Sequence, residues 1–118
     1  MNCELHVDIY APDDELRRVG ESYATVWRGI DLPFLPFIGL KLRIPDGMLE
    51  NDPRAAAASE LERSLEGRPF GSYLVKSVIW DVVDRETTIY ASISQSTLEQ
   101  FRACIEYLTK YDGFERLA

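Results

Sequence analysis

The chain has 118 residues, 46% hydrophobic and 28% charged, which is the composition of one globular domain over residues 1–118 and excludes a disordered chain. Twenty acidic residues against thirteen basic ones give a net charge of -7, so the average surface repels nucleic acid and anionic membranes. The two cysteines are too few for a disulfide framework or a zinc site, and the sequence shows neither a membrane-spanning run nor a signal-peptide pattern. We therefore expect a cytoplasmic protein that does not enter a membrane.

The first predicted element is a strand over residues 2–10, where apolar and polar residues alternate strictly. Because successive side chains of a strand point to opposite faces, one set should meet the core and the other should meet solvent. The inward set is Cys3, Leu5, Val7 and Ile9, and the outward set is Asn2, Glu4, His6, Asp8 and Tyr10.

The segment after this strand supports two interpretations. Acidic residues from Asp13 onward favour a helix start, and apolar residues keep a helical period over residues 13–30. Alternatively, a short helix ends at Gly20 and a strand follows, with Tyr23, Thr25 and Trp27 on one face, because β-branched and aromatic residues favour strands. The sequence leaves both interpretations open.

Residues 30–37 contain the unit Leu-Pro-Phe twice, and its prolines exclude a helix and favour an extended, unusually apolar loop. A strand is predicted over residues 38–44, with Ile38 among its inward residues and Lys41 and Arg43 pointing outward. These cations match the carboxylates of the first strand, so we expect the two strands to be neighbours.

A helix is predicted from Pro53 to Gly67, since proline is favoured at the first helical position and glycine just past the last. Its apolar stripe is thin, so the helix should lie on the surface of the sheet. The stripe consists of Ala57 or Ala58, Leu61 and Leu65.

Residues 72–95 predict a long β-hairpin with a polar tip at Asp84, Arg85 and Glu86. The second run alternates cleanly, whereas the first mixes apolar and polar residues on both faces. The first run is therefore either a central strand covered on both sides or a strand with a bulge that swaps its faces. Trp80 accordingly lies either in the core beneath the helices or on an uncovered face as a binding anchor.

The last predicted helix covers residues 96–112 and begins with a capping box formed by Ser96 and Glu99. Asp112 and Gly113 end it, after which Phe114 can fold back onto the helix. The whole pattern predicts an α+β domain in which two or three helices cover one face of a single-layer, mainly antiparallel sheet of four or five strands.

The only cluster of ligand-type residues is Glu4, His6 and Asp8, whose side chains follow one another about 7 Å apart along one strand. Such a row cannot converge on one metal ion without a neighbouring element, so we expect a solvated polar face. Cys104 falls on the apolar side of the last helix, and phosphate-binding and hydrolase motifs are absent. The sequence thus predicts no catalytic residue, metal site or cofactor.

The remaining candidates suit contacts with another protein, because aromatic anchors rimmed by charge are typical of interfaces. The acidic surface would attract a basic protein partner rather than nucleic acid. We therefore predict a non-enzymatic acidic binding module, in its most concrete form a cytoplasmic inhibitor or immunity-type protein that neutralises a basic partner such as a toxin nuclease. The candidate partner-binding residues are Glu4, His6, Asp8, Trp27, Phe34, Phe37, Trp80, Asp84, Glu86 and Tyr90.

Two alternatives stay open. The chain is a small-ligand-binding domain or an unassigned enzyme if a deep pocket lies between the sheet and the loop at residues 30–37 and contains His6, Asp8 and Trp27. It is a homodimer if two copies join through an uncovered sheet face or an edge of the hairpin.

Overall fold

The computed structural model describes residues 2–10, 23–43, 54–65 and 72–117. The predicted helix that begins at Asp13 lies outside these residues, as do both predicted ends of the second helix, Pro53 and Gly67. Within the described ranges the elements are β1 (Asn2–Tyr10), β2 (Tyr23–Asp31), β3 (Lys41–Arg43), α1 (Ala55–Arg63), β4 (Ser72–Leu74), β5 (Ser77–Asp81), β6 (Glu86–Ser94), α2 (Leu98–Tyr111) and β7 (Glu115–Arg116).

Five strands form one sheet in the order β5-β6-β1-β2-β7. The β1–β6 pair is parallel, and the other neighbours in this sheet are antiparallel. β3 and β4 form a separate two-stranded antiparallel sheet. A mixed sheet of five strands with two helices in the described residues agrees with the predicted α+β class. Neither of these helices is long and apolar enough to cross a membrane.

The core lies on the face of the sheet that carries the inward residues of β1, as their alternation predicts. Leu5, Val7 and Ile9 have no exposed surface, and α2 packs its apolar stripe into the same cluster. Burying one such Leu, Ile or Phe side chain stabilises the fold by about 1.5–3 kcal/mol. The buried residues of α2 are Phe101, Cys104, Tyr107 and Leu108.

Residues 23–31 form a strand, which decides between the two interpretations of the segment after β1. β2 pairs with β1 along its whole length, from Asn2 opposite Asp31 to Tyr10 opposite Tyr23. In this register Trp27 lies directly opposite His6. The β-branched and aromatic residues therefore outweigh the helical period, because each inward side chain of this strand can pack against β1 and the core.

The predicted pairing between β1 and the strand at residues 38–44 is wrong. β2 and β6 occupy the two edges of β1, whereas β3 pairs with β4. The strand also begins later than predicted, at Lys41, and Ile38 is 71% exposed rather than inward. Gly39 has a positive φ of 92°, which turns the chain just before β3.

The first run of the hairpin is interrupted by a bulge, one of the two predicted possibilities. The Lys76 N–H donates to Tyr90 O, and Ser77 also lies opposite Tyr90, so two residues oppose one. Before the bulge, Tyr73 and Val75 are buried, while after it Val78 lies opposite buried Ile89. The extra residue thus swaps the faces of the run.

The N-cap residue of α2 is Thr97, one residue later than the predicted Ser96. The Thr97 hydroxyl, rather than Ser96, accepts a hydrogen bond from the Gln100 N–H at 3.1 Å. At the other end Gly113 adopts a φ of 74°, and the Phe114 N–H donates to Leu108 O at 3.1 Å. Phe114 is 3% exposed, so the predicted return of the chain onto the helix is confirmed.

Candidate functional site on the outer sheet face

The side chains of the five-stranded sheet that alternate with the core residues form a second face, which we call the outer face. The strand registers define it, because directly opposite residues share a face. Its members are Asn2, Glu4, His6, Asp8, Tyr10, Tyr23, Thr25, Trp27, Gly29, Asp31, Lys76, Ser77, Ile79, Asp81, Glu86, Thr88, Tyr90, Ser92, Ser94 and Glu115.

An aromatic row crosses the centre of the outer face. Trp27 of β2 and Tyr90 of β6 flank His6 of β1 in the strand register. The rings of His6 and Tyr90 have centroids 5.3 Å apart, and His6 Nε2 lies 3.2 Å from Glu4 Oε2. The neighbours leave 17% of the His6 side chain exposed, so the imidazole is held in place but still reaches solvent.

Polar and aromatic pairs extend this surface toward one end of the strands. The Thr25 hydroxyl donates to Asp8 Oδ1 at 2.7 Å across the β1–β2 pair. Beyond it the Tyr10 and Tyr23 rings have centroids 5.7 Å apart, and these residues are 40% and 52% exposed. Both contacts are between outer-face residues of β1 and β2, so neighbouring strands of the sheet hold these side chains in position.

The outer face is strongly acidic among the described residues. Its only lysine is Lys76, which donates through Nζ to Ser92 Oγ at 2.6 Å. Its carboxylates are Glu4, Asp8, Asp31, Asp81, Glu86 and Glu115. An aromatic centre with carboxylates on every strand of the sheet can contact cationic side chains but offers little to an anionic ligand.

The structure brings together half of the predicted partner-binding residues. Glu4, His6, Asp8, Trp27 and Tyr90 are contiguous on the outer face. The candidate residues predicted from sequence did not include Thr25 and Glu115, because the pairing of β2 with β1 and of β7 with β2 is not visible in local alternation. Thr25 could have been found once residues 23–31 were assigned as a strand.

The other predicted residues lie outside this contiguous group, although Glu86 belongs to the outer face at its hairpin end. Asp84 and Glu86 are exposed at the hairpin tip, Glu86 opposite Asp81, whose Oδ1 accepts from the N–H groups of Val83 and Asp84. Phe34 and Phe37 are exposed by 46% and 56% in the loop after β2.

Trp80 occupies neither of its two predicted positions. It lies opposite buried Thr87 and therefore projects to the helix side of the sheet, not onto the outer face. Because β5 is an edge strand, the side chain is not enclosed, and 50% of its surface stays exposed.

A pocket of about 320 Å³ lies beside the loop that follows β2. Its lining residues are Arg28, Gly29, Ile30, Asp31, Leu32, Leu42 and Arg43. His6, Asp8 and Trp27, which a ligand site at this loop was predicted to use, do not line it. The three residues lie instead on the outer face, at neighbouring positions of β1 and β2.

Neither cysteine is an activated nucleophile. Burial raises the pKa of the Cys104 thiol to about 12, with a smaller contribution from Asp112, so the thiol stays protonated near neutral pH. Burial also raises the pKa of the Cys3 thiol. No group of three metal-ligating side chains occurs in the parts of the chain that are described.

Comparison of the chain with protein-family models, with curated proteins and with solved structures gives no match. The geometry and charge of the outer face therefore carry the information about function.

Proposed function

We propose that the chain is a non-enzymatic binding module that holds a basic protein partner against the outer face. The observation that supports this proposal most strongly is the aromatic row of His6, Trp27 and Tyr90 within a surface rich in carboxylates. Such a surface combines central anchors with a charged rim, the two features that give interfaces affinity and fast association.

The aromatic row would supply the affinity. Trp27 and Tyr90 are rigid, amphipathic side chains on β2 and β6, the two strands that pair with β1. Little conformational entropy is therefore lost when a partner contacts them. An Arg or Lys of the partner placed over one of these rings would gain about 0.5–2 kcal/mol from the cation–π interaction.

The carboxylates would supply steering. At a net charge of -7 the chain attracts a basic protein at long range, and association slows as salt screens the attraction. In its most concrete form the module is a cytoplasmic inhibitor or immunity-type protein that covers the phosphate-binding surface of a toxin nuclease. A surface that binds phosphate groups is basic, so an acidic protein face can occupy it.

Charge reversal on the outer face tests this proposal. Wild type and the double variant Glu4→Lys, Glu115→Lys are immobilised, and proteins captured from the native cell extract are quantified by mass spectrometry. The matched control is Glu60→Lys, Glu99→Lys, which changes the net charge equally at exposed helix positions. Circular dichroism verifies that all three proteins are folded.

We expect a basic protein to be captured by wild type and by the control and to be lost with the outer-face variant. Its affinity for wild type, measured with the purified protein, should fall as salt increases. Equal capture by both double variants, or an affinity that salt does not change, would show that the outer face does not bind this partner.

A further inference from the structure

The two edges of the five-stranded sheet differ in how they are protected. β7 has two residues, Glu115 and Arg116, and both are charged, which discourages pairing with another strand. β5 has five residues, Ser77–Asp81, without lysine or proline, and no strand among the described residues pairs with its other edge. Its protection is limited to the two ends, where the bulge at Lys76 and the charge of Asp81 lie, so the middle of the strand carries none.

Exposed apolar side chains accompany the free edge of β5. Ile79 is 52% exposed on the outer face, and Trp80 is 50% exposed on the helix side. Val82 and Val83, in the turn that follows, are exposed by 76% and 90%. The apolar surface therefore coincides with a row of backbone groups that no described strand pairs with.

We propose that β5 pairs with the β5 strand of a second copy, in an antiparallel arrangement whose twofold axis passes through Ile79. Ile79 then lies opposite Ile79 of the second copy, Val78 lies opposite Trp80, and Ser77 lies opposite Asp81. This register keeps the outer faces of both copies on one side, so the two sheets join into one ten-stranded sheet.

Charge complementarity favours a second copy and selects this register. The bulge places Lys76 on the outer face beside Ser77, as its hydrogen bond to Ser92 shows. Because Asp81 of the second copy lies opposite Ser77, its carboxylate comes next to the Lys76 ammonium group, and the twofold axis repeats this pair. Within one chain Asp81 faces Glu86, a like charge that the incoming lysine offsets.

The association should be weak. Two five-residue strands and their side chains bury less than the roughly 1,200 Å² of a standard interface, so we expect a Kd on the order of 10–100 µM. Sedimentation velocity over a concentration series should show a mass that rises from 13.5 kDa toward twice that value.

Two lysine variants test the position of the interface. Ile79→Lys places two like charges against each other on the twofold axis and should raise the Kd at least about tenfold. Ser94→Lys adds the same charge to the same sheet face at the far end of β6 and should leave the Kd unchanged. A single-chain mass for wild type up to roughly 1 mM, well above the expected Kd, would overturn the proposal, as would equal association of the two variants.

Cysteine cross-linking tests the register. With Ile79→Cys the two new thiols face each other on the axis, where a disulfide can form, and oxidation should yield a covalent dimer. Ser94→Cys should not, and the native Cys3 and Cys104 are buried and should not interfere. Cross-linking of both variants to the same extent would contradict pairing at Ile79.

Failure of the sedimentation test or of the cross-linking test leaves the proposed capture of a basic partner by the outer face unaffected, because Glu4 and Glu115 lie away from β5.

Discussion

Tyr73 carries a buried hydroxyl that has no hydrogen-bond partner among the described residues. Burial raises the pKa of the Tyr73 phenol far above its usual range, and Asp112 adds to the shift. Its ring still packs well, with a centroid 5.8 Å from that of Phe114. The ring therefore stabilises the core while the oxygen costs desolvation free energy.

Replacing Tyr73 with Phe keeps the ring and removes the unpaired oxygen. We expect Tyr73→Phe to raise the free energy of unfolding by about 1 kcal/mol, measured by urea denaturation. Tyr107→Phe, at another buried tyrosine of the same core, serves as the comparison. A loss of stability in Tyr73→Phe would show that the hydroxyl makes a hydrogen bond in solution.

The buried thiol of Cys104 should make the fold sensitive to alkaline pH. Below the ordinary thiol pKa of 9.0, Cys104 is protonated in both states and stability is unaffected. From pH 9.0 to about 12 the unfolded chain releases this proton and the folded chain keeps it. Stability is therefore lost as pH rises, by up to about 1.4 kcal/mol per pH unit.

Urea denaturation at pH 8 and pH 10 measures this effect. Cys104→Ala lowers the free energy of unfolding at both pH values by leaving a cavity. The further decrease in this free energy from pH 8 to pH 10 should, however, be smaller for Cys104→Ala than for wild type. Identical pH dependence in the two proteins would mean that Cys104 does not titrate on unfolding in this range.

At the scale of elements, α2 depends on the cap at Thr97. The hydroxyl satisfies one of the N–H groups that the first helical turn leaves without a partner. We expect Thr97→Ala to lower the free energy of unfolding by about 1 kcal/mol, while Thr97→Ser, which keeps the oxygen, should cost only a few tenths. An equal loss in both variants would assign the effect to the threonine methyl group rather than to the cap.

Local patterns predicted the elements better than their arrangement. The alternation of β1 and the apolar stripe of α2 are fixed by residues a few positions apart, and both elements agree with the structure within two residues. The parallel pairing of β1 with β6 joins residues 84 positions apart in the chain, such as Cys3 and Thr87, and no local pattern encodes it. The charge match that suggested β3 as the neighbour of β1 was therefore misleading.

For the candidate site, too, local patterns predicted the residues within one strand but not the residues that neighbouring strands bring beside them. The residues that β1 places on one face, Glu4, His6 and Asp8, follow directly from alternation. Trp27 and Tyr90 join them only through the sheet register, and Trp80 is separated from them because the bulge at Lys76 changes the face of β5. One inserted residue thus decides which aromatic side chains share a surface.

The molecule as a whole presents two groups of exposed or half-buried aromatic side chains, one on the acidic outer face and one in the loop after β2. The exposed loop after β2 offers Phe34 and Phe37 as competing anchors, and the sequence does not distinguish them from Trp27. The structure separates the two groups, since Trp27 adjoins the carboxylates of the outer face while the phenylalanines lie in the loop. Affinity measurements on single variants can therefore assign the binding surface.

The most direct test is isothermal titration of the captured basic partner into wild type, Trp27→Ala and Phe34→Ala, with folding verified by circular dichroism. If Trp27 is a central anchor, its truncation costs about 2 kcal/mol or more and raises the Kd roughly 30-fold. Phe34→Ala should change the Kd less than about threefold, since the loop is outside the proposed interface. A large loss with Phe34→Ala and none with Trp27→Ala would contradict binding by the outer face.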